Sequence, residues 1–227
     1  MVKEPSLTIG KERHSHEIPQ KIMIRPRGGD RRSRRTAIAL QQGLVELLLE
    51  KSLDDITIKE LTTVADVSRT TFYLHYHNIN DLFAQMENNV YMQFEQIIHR
   101  SMAGDRGLFH IEFDDKGTPT LPALKEVFIF IKDNPQLSAV LLNNPASTFL
   151  EKIWSTGHHV LAQRMAELQP DQEADQVEYY YAFALNGTKG IIEHWISTGM
   201  KEPVQQVVEI TTTFLLRNLG FLSEESI

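Results

Sequence analysis

The sequence predicts an all-α protein in two parts, a small amino-terminal helix-turn-helix unit followed by a larger helical body. Three observations predict it. Apolar residues recur every three or four positions through most of the chain after Asp30. Between residues 57 and 75, capped segments stop and restart a helix within a few positions. No stretch competes with the alternation of a half-buried strand.

Residues 1–29 mix Pro5, Pro19, Pro26, Gly10, Gly28 and Gly29 with charge and lack apolar periodicity, so they read as a flexible basic arm. A first helix is expected from Asp30 to about Lys51, with Ala37, Ile38, Leu44, Val45, Leu48 and Leu49 on one stripe and a basic first turn. Thr57 followed three residues later by Glu60 is a capping box, in which each residue satisfies an exposed backbone donor of the other. It opens a short helix from Ile58 to about Val64. After a turn at Ala65, Asp66 and Val67, Ser68 caps a third helix through His75. Ile58, Leu61, Val64, Val67, Phe72 and Leu82 are assigned to the core. A long fourth helix follows the cap at Asn78 to Asp81 and carries Leu82, Phe83, Met86, Val90, Phe94, Ile97 and Ile98 inward. Loops are expected at 103–107 and 114–119. Beyond them come five helical stretches, about Leu121 to Asp133, Gln136 to Leu142, Ser147 to Glu167, Glu173 to Ser197 and Pro203 to Leu219.

Charge separates the two ends. Residues 1–35 hold ten Lys or Arg against four acids, a net +6, which leaves −13 on the rest of a chain whose total is −7. Phosphate feels local charge within a Debye length of about 8 Å, so a basic end binds nucleic acid while an acidic body stays off it. With no cysteine among 227 residues, disulfides, thiolate metal sites and thiol nucleophiles are excluded. The longest apolar runs fall short of the ~18 residues that span a bilayer, and the first thirty residues contain no apolar block fit for a secretory signal. A cytoplasmic protein without membrane association is expected.

Catalysis finds no support. The close histidine pairs, His14 with His16, His75 with His77 and His158 with His159, are not joined to a carboxylate in a metalloprotease pattern. Phosphate-binding glycine loops and nucleophile elbows are absent too. No catalytic residue, cofactor or metal is expected.

Residues 57–83 carry Val67-Ser68, then Thr71-Phe72-Tyr73-Leu74-His75-Tyr76, then Leu82 after a cap. In this they resemble the amino-terminal domain of TetR/AcrR-family transcriptional regulators, whose recognition helix ends in a Tyr-x-His-aromatic tail. The match spans about 50 residues with the first helix, and the all-helical body agrees in size. Two positions depart from the family pattern. Asp66 stands where Gly is usual, at a turn that often needs a left-handed backbone, which Asp tolerates better than most residues. Ile79 stands where the family often has Lys, so one phosphate contact is expected to be missing.

A recognition helix in the major groove presents its first residues to base edges. Arg69 either reads guanine with its planar fork or touches phosphate. Thr70 and Thr71 are expected to contribute a phosphate bond and a thymine-methyl contact, beside Ser68. The resemblance implies backbone contacts from Tyr73 and His75, with a packing role at the helix junction as the other reading of His75. Lys59 matches a position that reaches the groove, and Thr57 offers its hydroxyl or backbone N–H to phosphate. Arg34 and Arg35, with Arg31 and Arg32, lie where the family's first helix approaches the duplex.

The resemblance implies a double-stranded DNA operator as partner, read by a homodimer because one recognition helix reads only a few base pairs. It divides the chain into the arm at 1–29, a DNA-binding domain at 30–77 with its motif at about 57–76, a connecting helix at 78–101, and a helical regulatory and dimerisation domain at 102–227. It places the dimer interface on helices 173–197 and 203–219. It also implies a cavity for an unidentified small-molecule effector. Phe128, Phe149, Trp154, His158, Tyr181 and His194 are named for that cavity, with His159, Tyr180 and Phe183 as further candidates. The expected function is a ligand-responsive repressor on a palindromic operator. The alternative is a DNA-bound adaptor or nucleoid-associated protein of the same fold that recruits a protein partner.

Overall fold

The computed structural model describes residues 31–102, 111–113, 117–168 and 174–218; the basic arm lies outside them. Nine α-helices run in the order α1 (Arg31–Leu48), α2 (Ile58–Val64), α3 (Arg69–Tyr73), α4 (Ile79–Met102), α5 (Pro122–Asp133), α6 (Pro135–Asn143), α7 (Phe149–Leu168), α8 (Ala174–Ser197) and α9 (Val204–Asn218) among the described residues. A 3-10 turn at Leu53–Asp55 joins α1 to α2. One correction is needed to the strand-free expectation. Residues Glu112–Phe113 (β1) and Pro119–Thr120 (β2) pair antiparallel, Glu112 with Thr120 and Phe113 with Pro119. Two-residue strands are too short to show an alternation in sequence.

The helix boundaries follow from local chemistry. The Thr57 hydroxyl accepts the Glu60 N–H at 3.2 Å, and the Glu60 carboxylate accepts the Thr57 N–H at 3.1 Å, closing the capping box. Where α2 ends, the Val67 N–H donates to Thr62 O at 3.0 Å and the Asp66 N–H to Thr63 O at 3.4 Å. Those two bonds make a Schellman motif, which forces its C′ residue left-handed. Asp66 accordingly has φ 51°. The same device ends α8, where Gly199 has φ 81° and the Met200 N–H donates to Trp195 O at 2.8 Å. Asn78 opens α4 by accepting the Asp81 N–H at 2.8 Å.

One continuous apolar core runs from Leu40 and Leu44 on α1 through Phe72, Leu82, Met86 and Val90 to Phe128, Trp195 and Val208. α1 packs on α2, α4 and α6; α5 packs on α9; and α7 packs on α4, α6 and α8. Val64, expected in the core, is exposed instead. The buried stripe of α2 follows Leu61 and Thr62 with Ile58 and Ala65 beside it, and Val64 falls just outside the edge of that stripe. Ile79 is buried, so a packing side chain occupies the position where the resembled family often has lysine. Among the described residues no helix is long and apolar enough to cross a membrane.

Candidate nucleic-acid interface

α3 is a five-residue helix held by one buried side chain, Phe72, which packs edge-on to Tyr73 at 5.5 Å and against Tyr76 at 5.9 Å. Tyr76 is itself buried, and that burial pushes its hydroxyl above the usual tyrosine range. With Phe72 and Tyr76 buried beneath it, α3 turns Ser68, Arg69, Thr70 and Tyr73 outward, Tyr73 being 59% exposed. The Ser68 hydroxyl accepts the Thr71 N–H at 3.1 Å, so Ser68 and Thr71 set the start of the helix. Leu74, just past the helix, is 80% exposed, an apolar group on the same surface that periodicity did not single out. His75 is half-buried, its ring 6.0 Å from that of Tyr76, which places it at the helix junction.

Lys59 on α2 is exposed, as are Arg31, Arg32, Arg34 and Arg35 on α1. The first turn of α1 holds no acid. Four cations therefore crowd the positive end of a helix dipole, an arrangement that opposes helix stability and favours an anionic partner. Thr57 makes the expected capping box. Its hydroxyl donates to Glu60 at 2.9 Å, its N–H donates to the same carboxylate, and Lys51 pairs with that carboxylate from the other side. Those contacts hold the Glu60 carboxyl down to about 2 and leave Thr57 occupied as a cap.

In the carboxy-terminal body, α4 to α8 surround a cavity of about 250 Å³. Its wall includes Phe94 on α4, Leu124 and Val127 on α5, Leu141 on α6, Phe149 and Ile153 on α7, and Tyr181, Leu185 and Ile192 on α8. Of the six residues named from sequence, Phe149 and Tyr181 border it. Trp154 and His158 stand behind Tyr181, with ring centroids 4.9 and 6.0 Å from it, outside the lining. Phe128 is fully buried against Trp195 of α8, their ring centroids 5.6 Å apart, and lies outside the lining. His194 is exposed near the end of α8. Phe183 is exposed, and the Tyr180 hydroxyl donates to Leu215 O at 3.2 Å, so it ties α8 to α9; the side chain of His159 lies outside the described residues. Sequence reasoning missed Phe94, Val127 and Leu141, whose helical spacing is that of ordinary core residues. Among the described residues no group of three or more His, Asp or Glu is placed to hold a metal ion.

A helix-turn-helix with a polar outward face is thus set on a helical body that surrounds a cavity. Residues 120–217 match the TetR family model described as the transcriptional regulator C-terminal region. The carboxy-terminal part of the chain is thus similar to that of TetR-family transcriptional regulators. It is 31% identical over 131 residues to the uncharacterized HTH-type transcriptional regulator YxbF of Bacillus subtilis (strain 168), covering 57% of this chain and 30% of that relative's length. A TetR transcriptional regulator from Streptococcus agalactiae 2603V superposes with a TM-score of 0.53 at 20% identity, over 82% of this chain and 96% of the other. The FadR transcriptional regulator from Bacillus subtilis, solved with stearoyl-CoA, gives 0.58 at 14% identity over 80% and 98%. At such identities the likeness is one of fold.

Proposed function

We propose that this chain is an effector-responsive repressor that binds a palindromic DNA site as a homodimer. The observation that carries the reading is the outward face of α3, where Arg69 and Thr70 project from a short helix that Ser68 caps and Phe72 anchors. Arg69 reads a base edge, while Lys59, Thr70, Thr71, Tyr73 and His75 hold phosphates around it. Arg34 and Arg35 add charge from α1. Thr57 serves as the cap of α2.

Two recognition helices are needed for useful specificity. Tyr179 and Phe183 on α8, with Ile210 and Phe214 on α9, are large apolar side chains left exposed in the single chain, which supports pairing through these helices. The cavity between α4 and α8 supports effector binding and weighs against the adaptor reading, which has no use for it. The FadR relative was solved with an acyl-CoA, which makes a small-molecule effector reasonable for this fold.

The test is selection of genomic DNA fragments with the purified protein at physiological salt. One enriched palindrome beside a promoter supports a local repressor. Many dispersed sites without a promoter favour the adaptor, and no enrichment overturns the DNA-binding reading.

A further inference from the structure

The cavity's chemistry narrows what it can hold. Nearly all of its wall is aliphatic or aromatic carbon, and its polar neighbours are Ser138, Tyr181, Thr188 and Lys189. Two of these are already engaged. The Tyr181 hydroxyl donates to Ile153 O at 3.1 Å, and the Lys189 ammonium pairs with Glu193 at 2.8 Å one turn along α8. Ser138 is different. It is 4% exposed on α6, and its hydroxyl has no hydrogen-bond partner among the described residues. A buried hydroxyl left unmet is costly, and such groups in native proteins usually await a partner.

We propose that the effector is an uncharged, slender, mainly aliphatic molecule with one hydrogen-bonding group, whose polar end meets the Ser138 hydroxyl. The proposal rests on the reading of this cavity as the effector site and names the class of molecule it takes. Size follows from the volume: about 250 Å³ is room for roughly eight water-sized groups, at ~30 Å³ each. Lack of charge follows from the wall. A carboxylate or ammonium entering it would lose its hydration and find no free counter-charge, since Lys189 is already neutralised by Glu193. One polar group follows from Ser138 being the buried cavity-lining residue whose hydroxyl has no partner, and that hydroxyl can turn its hydrogen to suit a ligand.

The test is calorimetric titration of the full-length protein with 1-octanol and octanoate, which share a chain length and differ in charge. 1-Octanol is expected to bind about tenfold or more tighter than octanoate. Ser138→Ala is expected to weaken 1-octanol about tenfold while raising the melting temperature of the unliganded protein, because it removes the unmet hydroxyl. A purely structural serine would not move these two readouts in opposite directions. Ser138→Cys, close in volume, repeats the comparison should the alanine variant fail to fold. Leu141→Trp, which fills the cavity, is expected to abolish binding. Octanoate binding as tightly as 1-octanol, affinity for 1-octanol unchanged in both serine variants, or no binding of either probe would overturn the proposal. DNA affinity is read separately by fluorescence anisotropy on the selected fragment. If 1-octanol binds as described but leaves DNA affinity unchanged, the effector reading fails and the ligand class stands.

Discussion

The buried carboxylate of Glu87 on α4 accepts the Lys152 ammonium of α7 at 2.9 Å. It also accepts the Ser147 hydroxyl at 2.7 Å, the Thr148 N–H at 2.7 Å and the Thr148 hydroxyl at 2.6 Å. Glu87 thus caps a helix from outside it, a negative charge on the positive end of α7. One turn further along, the Tyr91 hydroxyl bonds Thr156, and a turn beyond that Phe94 reaches the cavity. The helix that leads from the recognition unit is therefore pinned to the cavity wall by polar contacts that are fully satisfied.

Glu87→Gln is expected to cost about 2 to 4 kcal/mol at neutral pH, since it removes the charge that Lys152 and the α7 end are built around. Burial alone would raise the Glu87 carboxyl, but the bonds from Thr148, Lys152 and Ser147 outweigh it and hold the group below its ordinary 4.5. A depressed carboxyl stabilises the fold above its unfolded value and loses that contribution as pH falls through the folded one. The stability gap between wild type and variant, read from urea unfolding at a series of pH values, should therefore close below about pH 4.5. A gap that stays constant into acid would contradict the assignment.

Replacing Arg69 by alanine should weaken the selected DNA site by about 1 to 3 kcal/mol and leave random DNA nearly unaffected. Alanine at Arg34 or Arg35 should weaken both alike and reduce the salt slope by about one each. Anisotropy titrations at several salt concentrations separate the two patterns. Equal losses on both DNAs would make Arg69 a phosphate contact.

At Asp66, φ of 51° is a conformation glycine adopts freely and a β-branched residue resists. Asp66→Gly should raise stability by roughly 0.5 to 1 kcal/mol, and Asp66→Val should lower it by more than about 1 kcal/mol. Thermal unfolding of the two variants checks both signs. The sequence pattern pointed to a left-handed residue at this turn, and the two bonds of the Schellman motif are the reason.

Gly157 is a helical glycine whose replacement by alanine would ordinarily help by up to about 1 kcal/mol. Here the added carbon would collide with the Tyr181 hydroxyl, which lies over Gly157 and donates to Ile153 O. The clash should win, with Gly157→Ala costing about 1 to 3 kcal/mol. Tyr181→Phe should cost about 0.5 to 1.5 kcal/mol, and the double variant less than the sum of the two. Strict additivity in a double-mutant cycle would refute the contact.

Relationships within one turn were legible from the chain alone. Thr57 with Glu60, Ser68 with Thr71 and Asn78 with Asp81 are set by neighbours three residues apart, and helical periodicity placed all nine helices to within a few positions. Relationships between helices were not. Phe128 and Phe149 are both aromatic residues on apolar faces, yet one fills the core against Trp195 and the other borders the cavity. Sequence spacing states which face of a helix is apolar. Whether that face meets another side chain or a gap depends on how far apart the neighbouring helices settle. The same holds for Glu87, one of three acids on α4 and not set apart by spacing until α7 brings Ser147, Thr148 and Lys152 to it from some sixty residues away. Local hydrogen bonding and periodicity determined the elements. Tertiary packing alone decided where the cavity and its unmet hydroxyl lie.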